Sequence, residues 1–375
     1  MLRSAWSVRR VVSAGQVGCT RSLHSKSAPF PNKLAFAFDI DGVLKQGHHN
    51  VLPQAKRVLK LLSGEDGRLP KRVKPIPFLL ITNGGGVPDE ERRAALSSEL
   101  GIKAENQLVQ SHTPIKEYVE KYQDKPVLVL GGKGESCRRV AESYGLKHSY
   151  IPQDIVAWKP SIWDRTELTE EERGFARPQD FSQIPFSAAL MLHDSHDWGR
   201  DITLILDLMS SHRGIFGTRR EGHDRADVKG DVELVFSNAD VEWRSDWPIP
   251  RLGQGAFRLS LESVYKSTTG LDLPYKQFGK PFKATYDFSE LMLRRYLREV
   301  GRDPEGALNV YMVGDNPLSD IDGANRHGWS SILVRTGVFH DTHGEVPSHK
   351  ATIIADDVEK GVEWAIQEEM RKGSL

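Results

Sequence analysis

Two aspartates, Asp39 and Asp41, stand two positions apart directly after a run without a polar side chain, Leu34-Ala-Phe-Ala-Phe38. Carboxylates so spaced can converge just past the end of a strand. One can attack phosphorus and form an acyl phosphate. The other can protonate the leaving oxygen and then activate water. A second apolar run, Pro77-Phe-Leu-Leu-Ile81, ends at Thr82-Asn83-Gly84. There a hydroxyl and main-chain N–H groups can hold phosphate oxygens. Lys280, in Gly279-Lys280-Pro281, brings an ammonium that could neutralise phosphoryl charge and restrain Asp39. Asp315 opens the run Asp315-Asn316-Pro-Leu-Ser-Asp320 after Gly314. It can join Asp39 as a hard oxygen ligand of the kind Mg²⁺ prefers. Asp320 could orient Lys280 or a metal-bound water. Each motif has a plain alternative when read singly: solvated acids in a turn, an Asn-Gly turn, a solvated lysine, an ordinary strand-to-helix turn. Together they lie at or beside strand ends, where open parallel sheets bind ligands.

The elements that must position these residues can be read from periodicity. The run 34–38 is apolar throughout, as for a central strand buried on both faces. Ala55, Val58, Leu59 and Leu62 make one helical stripe after Pro53, with Gly64 as a stop. The strand at 77–81 and a helix from about Pro88 complete a strand-helix-strand-helix pattern, which predicts a parallel sheet covered on both sides. The pattern returns late in the chain. A helix near 285–300 is expected to present Phe288, Met292, Tyr296 and Val300 as its ridge. Strands follow at 310–313, 331–334 and 352–355, then a closing helix. Between these halves, Val127-Leu-Val-Leu130, Leu190-Met-Leu-His-Asp194, a helix over 202–209 and a strand over 231–236 predict a second α/β unit inserted into the first. The polar stretches 164–180 and 219–230 read as loops.

The fold expected is α/β: a doubly wound parallel sheet carrying an inserted α/β cap. Residues 31–124 and 276–375 form the core and 125–275 the cap. Several features invite other readings. Gly131-Gly-Lys-Gly134 lacks the spacing of a nucleotide P-loop and reads as a turn. His193-Asp194-Ser-His196-Asp197 mixes imidazoles and carboxylates, as a metal site would. No third or fourth partner is evident nearby, and the run resembles a cap segment that closes over a core, a resemblance that implies Asp194 or Asp197 facing a substrate. Five of the eight tryptophans fall in the cap, as core filling or as pocket lining.

The chain of 375 residues balances 51 basic against 51 acidic side chains. Neither nucleic acid nor an anionic membrane is indicated as its main partner. Mean hydropathy is −0.46, and no run approaches the roughly 18 apolar residues of a transmembrane helix. Cys19 and Cys137 are the only cysteines, which fits a reducing compartment. The first 38 residues contain no Asp or Glu, while Arg3, Arg9, Arg10, Arg21 and Lys26 are interleaved with serines. This composition predicts a mitochondrial transit peptide over about residues 1–30, with a disordered basic tail as the alternative.

The ordered set Asp39-Ile-Asp41-Gly, Thr82-Asn83, Gly279-Lys280-Pro281 and Gly314-Asp315…Asp320 resembles the haloacid dehalogenase superfamily. The long interval between Thr82 and Lys280 resembles its class IIA, C2-capped branch. Runs such as Gln110-Ser-His-Thr-Pro114, Arg251-Leu-Gly-Gln-Gly-Ala-Phe257 and Met312-Val-Gly-Asp-Asn-Pro317 are most similar to the cat eye syndrome critical region protein 5-like group. Gly84 and Ala239 depart from the branch, where Asn and Pro are usual. The resemblance implies a Rossmann-like core and a phosphohydrolase acting on a small phosphorylated metabolite. Asp39 would be the nucleophile, Asp41 the general acid/base and Lys280 the stabiliser of the aspartyl intermediate. Thr82, with Asn83 and Gly84, would bind phosphate. Mg²⁺ would be held by the Asp39 side chain, the Asp41 carbonyl and Asp315, with Asn316 and Asp320 in support. A homodimer through the cap and a mitochondrial matrix address are further expectations. The rival readings are a phosphotransferase and a non-catalytic mitochondrial protein linked to phospholipid metabolism.

Overall fold

The computed structural model describes residues 33–47, 50–69, 75–102, 107–220, 232–243, 247, 249–341, 344 and 346–373. The leader and most of the stretch 219–230 lie outside these residues.

Strand β1 (Leu34–Phe38) is buried at every position. It alternates between two cores. Leu34, Phe36 and Phe38 face one side with helix α1 (Pro53–Ser63), while Ala35 and Ala37 face the other. A strand with no polar face has no place but the middle of a covered sheet. The stripe read from sequence in α1 is buried at all four positions, and Gly64 ends the helix in the left-handed conformation. Next come β2 (Phe78–Ile81), α2 (Asp89–Leu100) and β3 (Leu108–Val109).

The chain then builds a second sheet. Its elements are β4 (Val127–Leu130), α3 (Ser136–Ser143), β5 (Ser149–Tyr150), α4 (Pro152–Trp158), α5 (Glu170–Phe175), β6 (Ala188–Met191), α6 (Trp198–Ser210), β7 (Glu233–Phe236), α7 (Gln254–Thr269) and β8 (Lys276–Gln277). The strand order is β8-β7-β6-β4-β5, and every pair is parallel.

The first sheet is completed by α8 (Lys283–Glu299), β9 (Asn309–Gly314), α9 (Asp322–His327), β10 (Ser330–Val334), β11 (Ile353–Ala355) and α10 (Val358–Gly373). Its order is β11-β10-β9-β1-β2-β3, again parallel throughout. Strand order reverses between β1 and β9, and in the second sheet between β4 and β6. Both reversals open a crevice at the carboxyl ends of the strands.

Two expectations need correction. In α8 Phe288 is buried as expected and Met292 packs half-buried against the same core, but the buried line runs on through Ser289, Leu293 and Leu297, with Tyr286 before them, while Tyr296 is half-buried and Val300 lies exposed past the helix end. Tyr286 packs edge-on against Trp329 in the same core, 5.4 Å between centroids. The stretch 164–180 is not wholly loop. It carries α5, opened by a reciprocal capping box between Thr169 and Glu172. Of the cap tryptophans, Trp158 meets Phe181 and Trp198 meets Phe257 edge-on, as core filling, while Trp243 and Trp247 are exposed.

Candidate active site

The four motifs converge at the carboxyl rim of the first sheet. Asp39 follows β1 and its N–H donates to the Val313 carbonyl. Asp315 follows β9, the strand paired with β1. Lys280 Nζ donates to Asp39 Oδ1 at 2.6 Å and to Asp320 Oδ1 at 2.6 Å. All four side chains are buried. One carboxylate oxygen from each of Asp39, Asp315 and Asp320 can be chosen so that the three lie within 4.8 Å of one another.

Asp320 is already spoken for. Its Oδ1 accepts from Lys280 and its Oδ2 from the Asn316 N–H at 3.0 Å. Asn316 in turn caps the following turn by accepting from the Leu318 N–H. These bonds suit Asp320 to orienting the lysine. Asp315 rests in a cradle of glycines. Its Oδ2 accepts from the Val338 N–H at 2.6 Å. A Cβ on Gly337 would stand 1.8 Å from that oxygen, and one on Gly42 2.3 Å. Asp41 is exposed at the mouth, close enough to add to the negative field on Asp39.

Acid is in surplus here. Asp39 is pushed well above the usual carboxylate range by burial, which Lys280 opposes and Asp320, Asp315 and Asp41 reinforce. Asp315 is pushed up to about 7 by burial and by Asp320. Burial disfavours the Lys280 ammonium, but Asp320 and Asp39 outweigh it and keep the lysine charged. The donors left over after Lys280 is satisfied are hard oxygens of Asp39 and Asp315. That set and that charge fit a divalent cation of the Mg²⁺ type.

Thr82, after β2, keeps a buried hydroxyl whose oxygen accepts from the Gly84 N–H at 2.9 Å. Among the described residues its O–H proton has no acceptor. Asn83 and Gly84 stand beside Thr82 at the same strand end. The Gly84 N–H is turned inward to Thr82. The Asn83 amide is spent on Lys280, accepting from its N–H at 2.8 Å and donating to its carbonyl at 3.1 Å. The Asn83 side chain therefore fixes the lysine.

The same amide donates to Asp240 Oδ2 at 2.9 Å. Asp240, past the end of β7, brings the second sheet onto the first. Burial pushes its carboxyl up to about 6. Sequence reasoning did not select it. The nearest signal was its place in Phe236-Ser-Asn-Ala-Asp240 at a strand end. A second contact joins the sheets where the His193 ring closes on Gly86. A Cβ there would lie 2.5 Å from the ring. The run 193–197 forms no metal site among the described residues. Asp197 caps α6 through the Arg200 N–H, and the Asp194 carbonyl accepts from the Gly132 N–H. Asp194 Oδ1 is buried without a partner among the described residues.

Two parallel sheets, the second inserted into the chain that builds the first, with a buried Asp–Lys–Asp group at the rim of the first, make an α/β fold with one acidic centre. A sequence model of haloacid dehalogenase-like hydrolases matches residues 36–147, and a second, of HAD-like hydrolases, matches 277–361. A mitochondrial hydrolase of Saccharomyces cerevisiae is 36% identical over 346 residues, covering 87% of this chain and 93% of its own length. A cardiolipin synthase (CMP-forming)/mitochondrial hydrolase fusion protein of Schizosaccharomyces pombe is 39% identical over 351 residues. The match covers 91% of this chain but only 54% of the fusion protein. Among solved structures, a 4-nitrophenylphosphatase of Thermotoga maritima superposes with TM-score 0.55 at 17% identity, covering 88% of this chain and 96% of its own. A glycerol phosphate phosphatase of Mycobacterium tuberculosis, in complex with magnesium, gives 0.52 at 19%, covering 87% and 75%. The chain belongs to the haloacid dehalogenase-like hydrolase family. No helix among the described residues is long and apolar enough to cross a membrane.

Proposed function

We propose that this hydrolase cleaves phosphate monoesters of small metabolites in two steps, with Asp39 as nucleophile. The observation that carries the reading is the double hydrogen bond from Lys280 to Asp39 and Asp320. It fixes one carboxylate at the strand rim and leaves acid in excess around it.

Asp39, Asp315 and the Asp41 carbonyl would hold Mg²⁺, which when bound supplies positive charge against the phosphoryl oxygens. Asp39 attacks phosphorus in line and the ester bond breaks. Asp41, exposed beside it, gives a proton to the leaving oxygen. It then takes one from the water that cleaves the aspartyl phosphate. Lys280 and the Thr82 hydroxyl share the charge of the transferring group. Asn83 keeps Lys280 in place.

In the same reading, residues 31–124 and 276–375 form the catalytic core, apart from β8, which joins the sheet of the C2-type cap formed by 125–275, a cap that excludes water. The two yeast relatives, both named as mitochondrial hydrolases at least in part, support a mitochondrial address and, with the leader's composition, the matrix. Placement in the C2-capped branch beside the cat eye syndrome critical region protein 5-like group, and a homodimer through the cap, follow from the same resemblance. The test is phosphate release from 4-nitrophenyl phosphate with Mg²⁺. Asp39→Asn is expected to lower the rate by about a thousandfold or more. A variant as active as the parent overturns the mechanism.

A further inference from the structure

Lys280 leaves the second sheet just before it enters the first. β8 pairs in parallel with β7, Gln277 opposite Phe236, and the Phe278 N–H donates to the Phe236 carbonyl at 2.8 Å. Phe278 is buried in a core of the second sheet with Val127, Val129 and Leu190. Gly279 alone separates it from Lys280, whose ammonium reaches Asp39 and Asp320. We propose that Asp240, on the loop after β7, is a positioning residue for the hydrolysis: acting through Asn83, it orients Lys280, so that the cap builds part of the catalytic centre as well as covering it. This role rests on the reading of Lys280 given above.

Three observations assign the role. First, Asn83 grips the main chain of Lys280 at two points. Its Oδ1 accepts from the Lys280 N–H at 2.8 Å and its Nδ2 donates to the Lys280 carbonyl at 3.1 Å. Nδ2 also donates to Asp240 Oδ2 at 2.9 Å. The two ends of an amide are nearly equal in shape, so partners decide which way it faces. An ionised carboxylate accepts and cannot donate. Asp240 therefore requires the nitrogen on its own side and leaves the oxygen for the lysine.

Second, Asp240 is fixed by the cap before it meets Asn83. Its N–H donates to Asn238 Oδ1 at 2.8 Å and its carbonyl accepts from the Gly255 N–H at 2.8 Å. The Asn238 N–H donates to Oε1 of the buried Gln254 at 2.8 Å. The loop lies flat on the start of α7. A Cβ on Gly255 would stand 2.3 Å from the Ala239 carbonyl oxygen, and one on Gly253 2.7 Å from that of Asp240. A carboxylate held by its own main chain in this way can hold an amide in turn.

Third, the joint between cap and lysine is tight. Gly279 has φ +88°, and a Cβ there would stand 2.6 Å from the Ser237 carbonyl oxygen and 3.1 Å from Asn83 Oδ1. Lys280 has a flexible four-carbon stem, yet its Nζ meets two acceptors at 2.6 Å each. Where its main chain sits decides whether both are reached, and small misplacements of a reacting group are costly.

The test is a double-mutant cycle in the full chain with two readouts, phosphate release from 4-nitrophenyl phosphate with Mg²⁺ and the NMR signal of the Lys280 ammonium. Asp240→Ala is expected to lower kcat by about tenfold or more and to leave KM within about twofold, because substrate still binds while the lysine is misplaced. In an Asn83→Ala background the same change is expected to cost less than about twofold. Asp240→Asn, whose side-chain oxygen can still accept from the Asn83 amide, is expected to keep most of kcat. Asp240→Ser serves if Asp240→Ala does not fold. The ammonium is followed in protein labelled with nitrogen-15 at lysine, its signal identified by its absence from Lys280→Met. That signal is expected to move or broaden in Asp240→Ala, and to be the same in Asn83→Ala with and without Asp240→Ala. An inactive parent would refute the hydrolysis proposed above, and the ammonium signal would still decide the role of Asp240. A parent-like ammonium signal in Asp240→Ala overturns that role, as does an equal fractional fall in kcat in both backgrounds.

Discussion

Two buried ion clusters, one in each sheet's territory, look alike in composition and differ in balance. In the cap, Arg138 and Asp154 are both fully buried and paired bidentately at 2.9 Å. Glu135 and the Phe175 carbonyl take the remaining guanidinium N–H groups. Asp154 also accepts from the Ile151 and Arg177 N–H groups. Every donor has an acceptor, and nothing is left to bind a stranger. In the core, one ammonium serves two carboxylates while Asp315 and Asp41 add charge without a cation. Satisfied buried charge holds a structure together, whereas surplus buried charge waits for a ligand.

The sharpest way to break that contrast is to remove each cation in turn. Lys280→Met should cost about a thousandfold in phosphate release, roughly 4 kcal/mol, because it removes a charge placed on the reacting group. It also leaves Asp39 and Asp320 facing each other unpaired, so the variant should gain more thermal stability from added Mg²⁺ than the parent does. Differential scanning with and without the ion measures this. An equal gain in parent and variant would show that Lys280 does not balance the acids.

Arg138→Met should act in the opposite register. It strands Asp154 in the cap interior at a cost of about 3–5 kcal/mol in urea unfolding. The turnover of the folded fraction should stay close to the parent's, since Arg138 touches nothing at the rim of the first sheet. Adding Asp154→Leu should recover part of the loss, because two apolar side chains replace a pair that needs complete solvation by protein. If Arg138→Met abolished turnover without loss of stability, the cap cluster would belong to the catalytic machinery.

The two clusters were not equally legible. Asp39, Thr82, Lys280, Asp315 and Asp320 could be read because each sits at a strand end or in a fixed local motif, and strand ends are visible as breaks in apolar runs. Arg138 and Asp154 carry no such mark. They lie on two helices whose faces become neighbours only when the cap sheet forms. Asn83 was legible as part of a turn, but its partner Asp240 lies 157 residues away, and no local pattern announces the pairing. The short helix α5 was missed although Thr169-Glu-Glu-Glu172 spells a capping box. The surrounding polar residues give it no apolar stripe, so periodicity was silent.

Asp240 tests the contrast at its weakest point. It is a cap carboxylate like Asp154, but half-buried rather than fully buried, and its partner is the Asn83 amide rather than a guanidinium. Its carboxyl is accordingly held up to about 6. A raised folded-state value means that the folded protein binds this proton more tightly than the unfolded chain. Below about pH 4 both states are protonated and burial carries no penalty from this group. Between about pH 4 and 6 the unfolded chain ionises first, and folding stability falls. Above about 6 the loss is complete, on the order of 3 kcal/mol. Asp240→Asn has no such titration. Its stability relative to the parent should therefore rise across that window and level off by neutral pH, as read from urea midpoints at a series of pH values. A flat difference would mean that Asp240 is as well satisfied as Asp154, and that balance alone does not separate the two acids.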